Sequence, residues 1–143
     1  MRLRGYQAAL EEAGLPWSEV PVYECQGSAK EFGYRAVEAL FRLQQEPTAI
    51  LALSDQLALG AMEWMTERRI SVPQDVSVVG FDNIPAAASA DPPLTTIHQD
   101  HAEKGRLAGR MLVSQLLEED APSVGQLATH LVVRGSTSPN RKR

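Results

Sequence analysis

Polar residues gather where the apolar runs of this sequence stop. Ser54-Asp55 follow Ala49-Ile50-Leu51-Ala52-Leu53, and Asp82-Asn83 follow Val76-Ser77-Val78-Val79-Gly80-Phe81. His98-Gln99 close a third run, and Cys25-Gln26-Gly27-Ser28 close a shorter one. Together they supply carboxylates, amides, hydroxyls and an imidazole. Such groups suit a polyhydroxylated ligand, because each sugar hydroxyl both donates and accepts. A carboxylate with an arginine nearby brackets one hydroxyl through charge-assisted bonds.

Other chemistries fit less well. There is no His-x-x-x-His and no cysteine pair, so no metal or other cofactor is expected. No glycine-rich loop joins a strand to a helix to cradle phosphate. Asp55 or Asp82 as a phosphoacceptor would call for further acidic residues after the first strand, which ends in Glu24-Cys25-Gln26. Asp82 and His98 as an acid–base pair lack a nucleophile, and Cys25 has no histidine near it in sequence. A binding protein is expected here, not an enzyme. Each polar residue also has a structural use: Ser54 and Asp55 as helix caps, Asp82 as a strand-ending turn, His98 as a structural imidazole, Cys25 as a small filler.

The elements that must place these residues alternate. Leu3, Tyr6, Ala9, Leu10 and Ala13 have helical spacing over 2–13, ended by Gly14 and Pro16. A short strand is expected over 20–24. Ser28-Ala29-Lys30-Glu31 reads as a capping box opening a helix with Phe32, Ala36, Val37, Leu40 and Phe41 on one face. Residues 49–53 read as a strand buried on both faces, 55–68 as a helix and 76–81 as a second buried strand. A loop with Pro85, Pro92, Pro93 and four alanines leads to a strand over 94–98. A helix over 100–119, with Leu107, Ala108, Met111, Leu112 and Leu116 on one stripe, precedes a last strand over 127–133. Gly135-Ser136-Thr137-Ser138-Pro139 reads as unwinding into a tail.

This order predicts an α/β fold, three-layer αβα, with a mostly parallel sheet. In such sheets ligands bind beyond the carboxyl ends of the strands, where the polar residues lie. The 143 residues, 43% hydrophobic and 22% charged, suit one globular domain. No apolar run approaches the ~20 residues of a membrane span, no secretory signal is read at the N-terminus, and a cytoplasmic location is expected. The net charge of −4 argues against unaided nucleic-acid binding. Arg141-Lys142-Arg143 reads as a solvated tail.

Four stretches in order carry a family likeness: Pro47-Thr48-Ala49-Ile50, the run from Ser54 to Met62, the run from Val72 to Asp82, and Pro93-Leu94-Thr95-Thr96-Ile97-His98-Gln99-Asp100. Arg2-Leu3-Arg4-Gly5-Tyr6 and Gly33-Tyr34-Arg35-Ala36 extend it. The chain closely resembles the effector domain of the LacI/GalR repressors, which has the periplasmic-binding-protein type I fold. The resemblance implies that residues 1–99 and 120–138 form the C-terminal lobe. It implies that helix 100–119 packs on an N-terminal lobe outside this chain, with 139–143 a basic tail. A helix-turn-helix domain, also outside the chain, would be its only route to DNA.

For individual positions the resemblance implies effector contacts at Arg2 and Asp82. Ser54 stands where sugar-binding members often have Asn, and Gly27-Ser28 where many have Asp and a stacking aromatic. Asp55 would be structural. Leu59, Glu63 and Ala86-Ala87-Ala88 fall on the expected homodimer interface. The function implied is small-molecule, sugar-class sensing by a transcription regulator. A solute-binding protein of a transporter is the alternative with the same fold. Without a covering lobe, the 107–116 stripe is expected to promote self-association.

Overall fold

β-branched and apolar runs become strands and the alanine- and leucine-rich stretches become helices, as propensity and periodicity require. A computed structural model describes residues 2–43, 46–117 and 125–139. In order they form α1 (Arg2–Glu12), a 3₁₀ turn (Trp17–Glu19), α2 (Lys30–Leu40), β1 (Ala49–Leu51) and α3 (Asp55–Glu67). β2 (Ser77–Asp82), α4 (Pro85–Ser89), β3 (Thr95–Gln99), α5 (His101–Leu116) and β4 (Thr129–Val132) follow. The sheet order is β1-β2-β3-β4; the first two pairings are parallel and the last antiparallel. Each parallel pair needs a crossover, and α3 and then α4 supply them.

The core lies where α3 meets β2 and α2. Ala58, Ala61, Met62 and Met65 of α3 are buried against Val37, Val78 and Leu94. Helices α2 and α3 approach closely through two glycines. A Cβ at Gly33 would run into the Leu57 backbone, and one at Gly60 into the Lys30 carbonyl. At the end of α1, Gly14 (φ +78°) takes the left-handed conformation. Its N–H bonds the Glu11 carbonyl and that of Leu15 bonds Leu10, a Schellman closure.

The parallel-dominated α/β sheet agrees with the expectation, but several local readings change. Residues 20–24 form no strand; Pro21 removes a backbone donor, and Val22 and Tyr23 are about half exposed. No capping box forms, because α2 starts one residue later than that motif requires, with Ala29 as N-cap and no side-chain bond. β1 stops at Leu51, lies at the sheet edge and is exposed on one face. The loop after Asp82 contains α4, opened by Pro85 at its first turn. Residues 135–139 are no tail. Ser136 is fully buried, its Oγ donating to the Val78 carbonyl (2.6 Å) and accepting from Thr95 N–H (2.8 Å). Ser138 N–H donates to Ser77 Oγ at 3.1 Å, fixing the segment to β2. The end of the 100–119 helix and the 140–143 tail lie outside the described residues.

Candidate functional site

The carboxyl ends of the parallel strands bring three polar side chains from different elements together. Asp82 is the last residue of β2, Gln99 the last of β3, and Arg2 the first of α1. Arg2 Nη2 lies 3.4 Å from Asp82 Oδ1, and Arg2 Nη1 donates to the Leu53 carbonyl after β1. The Gln99 side-chain amide donates to the same Asp82 Oδ1. Among the described residues no hydrogen bond reaches Asp82 Oδ2, and the Asp82 side chain is 20% exposed. A charged acceptor is thus half engaged and half open. Lys104 Nζ donates to Gln99 Oε1 (3.4 Å), and His101 Nε2 donates to the Asp82 carbonyl (3.1 Å). Tyr6 Oη donates to the Ala52 carbonyl at 3.5 Å. Burial pushes the Tyr6 phenol up, with Arg2 acting the other way.

Backbone strain sits at the same place. Asp82 (φ +120°) and Asn83 (φ +57°) are consecutive non-glycine residues at positive φ, each costing on the order of 1–3 kcal/mol. Beneath them Asp55 is fully buried. Its Oδ1 accepts from Thr96 Oγ1 (2.5 Å) and its Oδ2 from Ile84 N–H (2.8 Å). With both oxygens engaged and no exposure, Asp55 is a structural group, not a phosphoacceptor. Ser54 is also buried, and its Oγ caps α3 by accepting from Leu57 N–H at 3.3 Å.

The periplasmic binding protein-like domain family matches residues 1–137. The chain belongs to this family. The HTH-type transcriptional repressor CytR of Escherichia coli K12 is 40% identical over 138 residues, 95% of this chain and 40% of that protein. The HTH-type transcriptional repressor PurR of Actinobacillus pleuropneumoniae is 39% identical over 115 residues, covering 80% and 34%. The chain therefore spans about two-fifths or less of these relatives. Among solved structures, a LacI family transcriptional regulator from Enterococcus faecium with bound ribose superimposes with a TM-score of 0.89 at 29% identity. It is matched over 98% of this chain and 52% of that one. A transcriptional regulator CelR–cellobiose complex gives 0.87 at 34% identity, over 94% and 41%. The likeness read from the sequence motifs, to the effector domain of LacI-type regulators, is the one these comparisons show.

In this periplasmic-binding-protein-like domain, two of the five residues expected to contact an effector, Arg2 and Asp82, lie together. The other three expected contact residues do not join them. Ser54 caps α3; Gly27 packs against the Phe32 ring and Ser28 is exposed, with no hydrogen bond to the cluster. The interface candidates are split. Ala86 and Ala88 are exposed and Glu63 pairs with Lys30 at 3.0 Å, whereas Leu59 is half-buried on the core and Ala87 is fully buried. Sequence reasoning missed Tyr6, one turn from Arg2 on the same helix face, which helical spacing alone would have revealed. It also missed Arg134, 51 residues from its partner Asn83, for which no local signal exists. Among the described residues no three His, Cys, Asp or Glu side chains are grouped as a metal site, and no helix is long and apolar enough to cross a membrane.

Proposed function

We propose that this domain is the effector-binding part of a cytoplasmic LacI-type transcription regulator and that its effector is a polyhydroxylated small molecule, a sugar. The convergence of Arg2 and Gln99 on one oxygen of Asp82, with the second oxygen open, carries the reading. A ligand hydroxyl donates to Asp82 Oδ2 and accepts from Arg2 or Gln99, so one sugar ties α1, β2 and β3 together. The ribose and cellobiose bound by two structural relatives support the class. The regulator dimerises through Leu59, Glu63 and the exposed Ala86 and Ala88 of α4, and reaches DNA through a separate helix-turn-helix domain. The net charge of −4 is consistent with DNA contact lying elsewhere.

Thermal melting against pentoses, hexoses, disaccharides, polyols and purines at ~10 mM tests this. A ligand with a dissociation constant of ~0.1 mM stabilises by about 2.7 kcal/mol. At least one sugar is expected to raise Tm, and Asp82→Ala to abolish the response. An equal response from Asp82→Ala would overturn the assignment of the site.

A further inference from the structure

Two consecutive non-glycine residues at positive φ persist only if their surroundings hold them there. One of the groups holding Asp82-Asn83 comes from far along the chain. Arg134 follows β4, with its own N–H bonded to Thr95 Oγ1 at 2.9 Å. Its guanidinium forks: Nη1 donates to the Leu94 carbonyl and Nη2 to Asn83 Oδ1, both at 2.7 Å. A guanidinium has no acceptor, so this bond fixes which end of the Asn83 amide is oxygen. The Asn83 nitrogen then faces His98 Nδ1 at 3.0 Å and donates to it. Asn83 N–H reaches Thr96 Oγ1 at 3.4 Å, and the next amide, Ile84 N–H, is held by Asp55. Two residues of β3 and Arg134 beyond β4 thus grip the residue immediately after Asp82.

We propose that Arg134 is a positioning residue for the effector site. By holding the Asn83 side chain it keeps the turn left-handed, and so keeps the Asp82 carboxylate turned toward Arg2 and Gln99. The proposal rests on the reading of Asp82 as the ligand carboxylate, but its effect on the backbone does not. Arg134 touches neither Asp82 nor the ligand; its influence passes through Asn83. A lysine cannot substitute, since one ammonium on a flexible stem does not reproduce a planar fork across two carbonyl oxygens.

A double-mutant cycle tests it: the parent chain, Arg134→Met, Asn83→Gly, and both together. Glycine adopts positive φ without penalty, so Asn83→Gly removes the need for a clamp. The readout is the three-bond HN–Hα coupling of Asp82 by NMR, small at φ +120° and large in extended backbone. A titration with D-ribose accompanies each chain. Arg134→Met is expected to raise the Asp82 coupling toward the extended value and to weaken any D-ribose response at least tenfold. In the Asn83→Gly background the same substitution is expected to change neither. An unchanged Asp82 coupling in Arg134→Met overturns the proposal. So does an equal loss in the glycine background, which would put the role of Arg134 at Leu94 alone. If Arg134→Met does not fold, the double variant decides. A folded chain with a small Asp82 coupling supports the clamp, and a chain that again fails to fold rejects it. A sugar response that survives Asp82→Ala would remove the effector reading while the couplings still judge Arg134.

Discussion

The Arg2 guanidinium sits over the Phe81 ring, 4.0 Å from its centre, one residue before the carboxylate it also faces. The aromatic face orients the cation by its quadrupole and leaves the N–H groups directed at oxygens. An arginine is therefore required for geometry as well as charge. Arg2→Lys is expected to weaken the responding sugar about 10-fold and Arg2→Ala about 100-fold, the range for charge-assisted bonds. Calorimetric titration measures both. Equal affinity for Arg2→Lys and the parent would show that the ring contact plays no part.

The glycines of this fold are predicted to respond to one substitution with opposite signs. At Gly60 a Cβ would enter the Lys30 carbonyl, a backbone atom that cannot move without separating α2 from α3. Overpacking of this kind costs about 1–3 kcal/mol or more. At Gly105 and Gly109, both inside α5, a Cβ meets nothing within 4 Å. There alanine removes unfolded-state entropy and is worth about 0.4–1 kcal/mol of stability. Urea unfolding of Gly60→Ala and Gly109→Ala is expected to move the midpoint down and up respectively. Two shifts of the same sign would contradict the close approach of α2 and α3.

How far the sequence revealed this arrangement depends on how local each cause is. β2 was legible because Val78–Phe81 is an apolar run that is buried or half-buried throughout. The place of Asp82 at the carboxyl end of β2 was legible because the apolar run stops there. The Ser28 capping box was misread because composition marks a helix start only to within a residue or two. Residues 135–139 were misread because Gly, Ser, Thr and Pro look like tail. What composition hides is that Ser136 bridges Val78 and Thr95 with its hydroxyl. Arg134 was invisible for the same reason at longer range: its partner is chosen by the fold, not by its neighbours.

Asp100 gives the fold an acid-side dependence. It caps α5, its Oδ1 accepting from Glu103 N–H at 2.8 Å. That backbone bond is the main cause holding the Asp100 carboxyl below its ordinary range, with Arg106 and His98 adding to it. A carboxylate with a folded pKa below its unfolded one stabilises the fold above about pH 3.9. The contribution disappears as pH falls through the folded value. Helix content followed by circular dichroism from pH 6 to pH 2 is expected to fall more steeply for the parent than for Asp100→Asn. The amide keeps a capping oxygen that does not titrate. Superimposable acid profiles would show that the cap carries no linked proton.

The far half of α5 carries apolar side chains that stay exposed among the described residues. No residue of α5 is buried; Leu112 is 58% and Leu116 73% exposed, with Val113 and Leu117 also more than half exposed. Alongside lies a groove of about 430 Å3 whose lining includes Leu107, Met111, Leu127, Lys104 and Gln99. The N-terminal half of the helix is solvated instead, with Glu103 paired to Arg106 and Arg110 at 2.7 Å. Four large apolar residues on adjoining turns make a patch of roughly a few hundred Å2, the size at which association becomes favoured. A second copy presenting the same face buries both patches in a two-fold pair. Light scattering at micromolar concentration is expected to report at least twice the 15.6 kDa chain mass, and Leu112→Lys with Leu116→Glu to return it to one. A parent chain that is monomeric at that concentration, or a charged variant that still pairs, would remove α5 as the contact.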